Sequence, residues 1–217
     1  TTSLRVASDQ PGPVRVTVLL PEDDGAATLH LNLIAVSETV TLPADPPFAA
    51  EVATLLARAD LEVAIDEVLA LPGTGLSNIT DFSEPQENPG SMSAMLASLV
   101  DGRLEGGALD VFVVDGLPFG VGGLSLGTPG PPLRGSYYYG VAVRYFADVV
   151  ELGRVIAHEV AHFLALQHVQ NRGVSGAIYP DPLDDTTFGD DNLMDQGTAL
   201  TDDQAFALSR SAVLTLD

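Results

Sequence analysis

Three of the chain's four histidines fall within eleven residues: His158-Glu159-Val160-Ala161-His162-Phe163-Leu164-Ala165-Leu166-Gln167-His168. No other feature constrains the fold as strongly. On a helix, His158 and His162 stand at i and i+4. They are about 40° apart around the axis and one turn apart along it, so both imidazoles can grip one ion. Glu159 is rotated by about 100° from His158. It can lie beside a metal without binding it, which suits a general base acting on water. His168 would sit about 240° further round from His162 if the helix ran on, facing nearly the wrong way. The helix must therefore end between them for His168 to return as a third ligand. Three neutral imidazoles with one open tetrahedral position are the donor set of a catalytic zinc site. With four His and ten Glu in 217 residues, this four-residue pattern is expected by chance roughly 10⁻⁴ times per chain.

Composition narrows the rest. There are 30 acidic and 9 basic side chains, a formal net charge of −21, and every base is Arg. Such a charge repels nucleic acid and anionic membranes, so neither is expected as a partner. No apolar run approaches the ~20 residues that cross a bilayer, so no membrane span is expected. Zero Cys removes disulfides, thiolate metal sites and Cys nucleophiles together. Hydrophobic residues at 46% allow a packed core. The chain opens at Thr1-Thr2-Ser3 without Met or signal peptide. It reads as a mature form that has lost a leader, or as a trimmed chain.

Along the chain, Val14 to Leu20 and Leu29 to Ala35 alternate as strands, with a turn over Pro21 to Gly25. Asp45 is the expected N-cap of a helix with Pro46 and Pro47 in its first turn, running to about Arg58. Leu61 to Leu71 reads as a strand, Ser91 to Val100 as a short helix, and Ala108 to Val114 as a buried strand. Eight Gly and four Pro between Asp115 and Gly140 mark loop, with short strands at Gly122 to Gly127 and from about Tyr138 to Tyr145. A capping box at Asp148 to Glu151 starts the histidine-bearing helix, which runs to about Leu164. A second box at Thr201 to Gln204 starts a last helix to about Val213. The order implies an α+β chain. A single domain over 1–217 is expected, with an α/β upper lobe at 1–164 and an irregular lower lobe at 165–217.

The segment His158 to His168 resembles the long zinc motif of the metzincins, H-E-x-x-H-x-x-G-x-x-H followed by a Met-turn. Asn192-Leu193-Met194-Asp195 stands where that turn belongs, 26 residues after His168. With its flanking Asp-Pro-Leu-Asp-Asp-Thr and Leu-Thr-Asp-Asp-Gln, it most resembles the pappalysin-like branch. The resemblance implies a metzincin-like zincin fold: a twisted mixed sheet and an active-site helix above an irregular part that ends in a helix. It implies a secreted, monomeric zinc endopeptidase that cuts a peptide or protein. His158, His162 and His168 would hold Zn²⁺, Glu159 would act as base, and Met194 would be structural. Three departures stand out. The motif's Gly is Ala165, which must take φ > 0 at a cost of about 1 kcal/mol. Gln196 fills the slot where several metzincins carry Tyr. Bracing cysteines are absent.

Two weaker signals remain. Gly123-Leu124-Ser125-Leu126-Gly127 matches the nucleophile elbow of serine hydrolases. That elbow needs a helix after the Ser, and Pro129, Pro131 and Pro132 forbid one. The better reading is an edge strand or rim loop; the metzincin resemblance implies an antiparallel edge strand at Gly122 to Gly127, where Gly123, Leu124 and Ser125 would hold an extended peptide by backbone pairing. Asp181, Asp184, Asp185, Asp190 and Asp191 crowd one loop. They read either as a solvated acidic surface or as a Ca²⁺ site, with Asp184, Asp185 and Asp190 as first-choice ligands.

Overall fold

The computed structural model describes residues 27–80, 108–125, 139–172, 176–189, 191–211 and 214–216. The expected strand at Val14 to Leu20, the turn at Pro21 to Gly25 and the helix at Ser91 to Val100 lie outside these residues.

The centre is a mostly parallel sheet. Its strands are β1 (Ala27–Val36), β2 (Leu61–Ala70), β3 (Leu109–Val114), β4 (Gly123–Ser125) and β5 (Val141–Arg144). Their order is β2-β1-β3-β5-β4. The first four in that order run parallel and β4 runs antiparallel to β5. Among the described residues the remaining elements are helices α1 (Phe48–Leu56), α2 (Val149–Phe163) and α3 (Asp202–Ser209), two short 3-10 turns at Ala57–Ala59 and Pro118–Gly120, the short pair β6 (Gln170–Arg172) and β7 (Ile178–Pro180), and β8 (Thr215–Leu216). β8 pairs antiparallel with the first residues of β1. A mixed α/β fold is thus the architecture that the order of elements implies, but the C-terminal part closes on β8 after its helix rather than on the helix itself.

The alternation at Leu29, Leu31, Leu33 and Ala35 marks one face of β1, but the other face is buried as well. Parallel crossovers cover both sides of such a sheet. The first face packs with α1, α2 and the C-terminal part in the larger core. Ile34 and Val36 join Phe112, Val114, Leu117 and Ala142 on the opposite side. Across the strands, Asn32 donates to Asp110 at 2.8 Å in a buried link between β1 and β3.

Two boundaries differ from expectation. α1 begins after Pro47, which stands at the N-cap with no side-chain cap. Proline's locked φ already suits helix entry, so Asp45 is left two residues upstream without that role. α3 stops at Ser209 with Arg210 as its C-cap, short of the expected end at about Val213, which lies outside the described residues.

What positions the site is α2. Asp148 accepts from the Val150 and Glu151 amides at 2.9 and 3.3 Å. Glu151 turns away from the expected reciprocal bond and forms a bidentate pair with Arg154, at 2.7 and 2.9 Å. The buried face of α2 crosses α1 at Gly153, where an added Cβ would lie 2.6 Å from Glu51 Cβ and 3.0 Å from the Phe48 carbonyl oxygen. Small residues allow helices to approach this closely, and overpacking such a crossing typically costs 1–3 kcal/mol. Gly153→Ala should lower the unfolding free energy by about that amount in urea denaturation.

Candidate metal centre

α2 ends where the motif requires. Leu164 and Ala165 close the last turn, with the Leu164 amide on the Val160 carbonyl and the Ala165 amide on the His162 carbonyl, both at 2.9 Å. Ala165 has φ +97° and the chain reverses there. His168 returns to the open side of His158 and His162. Its Nε2 lies 3.3 Å from His158 Nε2 and 3.1 Å from His162 Nε2. Among the described residues, these three side chains form the group of His and acidic residues that could share an ion.

The backbone sets two of the tautomers. His158 Nδ1 lies 2.6 Å from the Leu193 carbonyl oxygen, and His162 Nδ1 lies 2.8 Å from that of Leu166. A carbonyl only accepts, so each Nδ1 carries the proton and each Nε2 presents a lone pair to the common point. One proton on His168 Nε2 could satisfy one of those lone pairs; a cation satisfies all three nitrogens. Burial pushes all three imidazoles below their ordinary pKa, His162 to about 4, and so holds them in the neutral, ligating form. The spacing also fits. A tetrahedral Zn²⁺ about 2.0–2.1 Å from each nitrogen sets the nitrogens about 3.3 Å apart.

Glu159 is 6% exposed and faces the same cleft. Burial pushes its carboxyl up to about 8, against a hydrogen bond from the Ser125 backbone that lowers it. A dication nearby would favour the ionised form. The cleft, about 900 Å³, is lined by β4, α2, Leu166 to His168, Asn171, Asp195 and Gln196. Arg154 is the cation among these lining residues, and its pairing with Glu151 neutralises it.

Ser125 lies on antiparallel β4, and its buried hydroxyl has no hydrogen-bond partner. A serine nucleophile needs a base in hydrogen-bond reach, so the serine hydrolase reading fails. Gly123, Leu124 and Ser125 form a strand that lies at the edge of the sheet among the described residues; Leu126 and Gly127 lie outside them.

Met194 is fully buried, and the Leu193 carbonyl beside it holds His158. The segment is clamped by a contact that sequence reasoning missed. The Asn192 and Gln204 side chains exchange two hydrogen bonds, 3.0 and 3.1 Å, while Asn192 Oδ1 also takes the Met194 amide at 2.8 Å. Gln204 completes the expected capping box with Thr201. The box was visible as a motif; the reach to Asn192 has no local signal.

The acidic loop does not gather into a cation site among the described residues. Asp181 caps Leu183 and Thr186. Asp185 accepts from the Asp203 amide at the start of α3 at 2.9 Å. Asp191 takes the Thr198 amide and hydroxyl. Asp184 is exposed, and Asp190 is outside the described residues. Asp181, Asp185 and Asp191 thus each take N–H or O–H donors on separate turns, and among the described residues no acidic group gathers that could share a Ca²⁺ ion, so nothing here supports the calcium reading.

The sequence matches no known protein-family description, and no curated protein matches it. Among solved structures, metalloproteinase-II from Bacteroides fragilis aligns at 13% identity and TM-score 0.48, over 87% of this chain and 54% of that one. Archaemetzincin from Methanopyrus kandleri aligns at 12% and 0.45, over 88% and 91%. A chain in the structure of a chaperone–substrate complex aligns at 13% and 0.47, over 69% and 25%. The chain thus spans a quarter of one of these neighbours and about half of another.

Two substitutions test how the site is held. Ala165→Gly should raise the unfolding free energy by up to about 1 kcal/mol, because glycine adopts φ > 0 without Cβ strain. Gln204→Leu should lower it by about 1–3 kcal/mol, because the buried Asn192 amide loses its partner. Denaturant titration reads both.

Proposed function

We propose that this chain is a zinc-dependent metallopeptidase of the zincin type. The observation that carries the reading is the convergence of three neutral imidazole nitrogens, two with backbone-locked tautomers, beside a buried carboxyl in an open cleft. His158, His162 and His168 would hold the ion. When bound, zinc supplies a Lewis acid that polarises a carbonyl oxygen and acidifies water.

The chain's own residues do the rest. A Glu159 carboxylate oxygen takes a proton from the attacking water and delivers it to the nitrogen of the departing amine. β4 receives the substrate. The Arg144 amide donates to the Gly122 carbonyl at 2.8 Å, so in the alternating antiparallel pattern Leu124 is bonded to β5 while Gly123 and Ser125 turn their backbone groups outward. Both Gly123 polar groups and the Ser125 carbonyl can pair with an extended peptide. Met194 forms an apolar support on the far side of the ligands. The finer kinship, a metzincin of the pappalysin-like branch, is supported by the residues Asn192 to Asp195 and their flanks.

Elemental analysis and a quenched-fluorescence peptide library, with and without chelator, test the reading. One equivalent of zinc and chelator-sensitive cleavage are expected; a metal-free, inactive chain overturns it, and zinc without cleavage makes it a binding module. Glu159→Ala should keep the zinc and lose about 10²–10⁴-fold in rate. His162→Ala should lose zinc and activity together.

A further inference from the structure

The contact between β4 and Glu159 involves more than a shared cleft. A Cβ built on Gly123 would lie 2.7 Å from Glu159 Oε1 and 2.8 Å from its Cδ. The Glu159 side chain therefore lies flat on the bare Cα of Gly123, in the space where any other residue would carry a side chain. Two residues on, Ser125 shares that face of the strand. Its amide is one of the outward-facing groups of β4, and it donates to the Glu159 carboxyl. The Glu159 carboxyl is thus received by a missing side chain at Gly123 and by an outward-facing edge amide at Ser125.

We propose that Gly123 and Ser125 are positioning residues for Glu159: the edge strand seats the base as well as receiving the substrate. This rests on the metallopeptidase reading for its catalytic meaning, while the seat itself is a property of the fold. A side chain at 123 displaces the carboxyl without touching the histidines. Loss of the carboxyl leaves the Ser125 amide open to solvent.

Amide hydrogen exchange at Ser125 in the zinc-loaded chain reads the seat directly. Slow exchange is expected in the wild type and in Glu159→Gln, whose amide oxygen still accepts the bond. Exchange at least about fivefold faster is expected in Glu159→Ala. Equal rates in all three, or a fast rate in the wild type, would overturn the proposal. Gly123→Ala should keep one equivalent of zinc and a KM within about threefold of wild type, while kcat falls at least about tenfold through a misplaced base. An unchanged kcat, or a KM rising as kcat falls, would remove Gly123 from the positioning role. The exchange comparison needs no change at position 123 and no turnover. A chain that cut no peptide would therefore refute the metallopeptidase reading and still decide the seat.

Discussion

The hydrogen bond from His158 Nδ1 to the Leu193 carbonyl ties α2 to the segment Asn192 to Asp195. It sets the imidazole's tautomer and ring plane, and it does so from a segment that folds 35 residues later. Leu193 is in turn held by its own amide on the Ala199 carbonyl at 2.7 Å, and by the Asn192–Gln204 exchange behind it. The ligand geometry of α2 therefore depends on the packing of α3. Buried polar networks of this kind are stabilising only when every member is paired. Here the amide pair is closed on itself, with the Thr201 and Met194 amides taking the remaining oxygen capacity.

The centre was legible because its geometry follows from helical periodicity alone. The i, i+4 pair, the placement of Glu159 and the need for a break before His168 are consequences of 3.6 residues per turn, and the reversal falls at Ala165. A short strand at β4 was legible from glycine and proline punctuation, while its place at the edge of the sheet followed only from the metzincin resemblance. The acidic loop was not. Five carboxylates in eleven residues suggest convergence when read along the chain. Yet Asp185 is spoken for by α3 and Asp191 by Thr198, partners 18 and 7 residues away. Asp45 likewise has the right chemistry for a cap, but the proline pair after it shifts the helix start past its reach.

Contacts across the fold left the faintest trace. Gly123 facing Glu159 and Gly153 facing α1 are marked in sequence only by a glycine inside an element where a side chain would normally stand. Such a glycine says that something approaches closely; it does not say what. The approaching group is known only once β4 has paired antiparallel with β5 and α2 has been laid beneath it.

The same β4 edge has a consequence for the chain at high concentration. A strand at the border of a sheet offers unpaired amides and carbonyls to the border of another molecule, the usual start of sheet-to-sheet association. Among the described residues the border is three residues long and antiparallel to its neighbour, and one outward amide is already taken by a buried carboxyl. A second copy adding here would have to strip that amide from Glu159 and bury the acid without its donor. An edge arranged in this way is a poor template for the indefinite growth of a sheet.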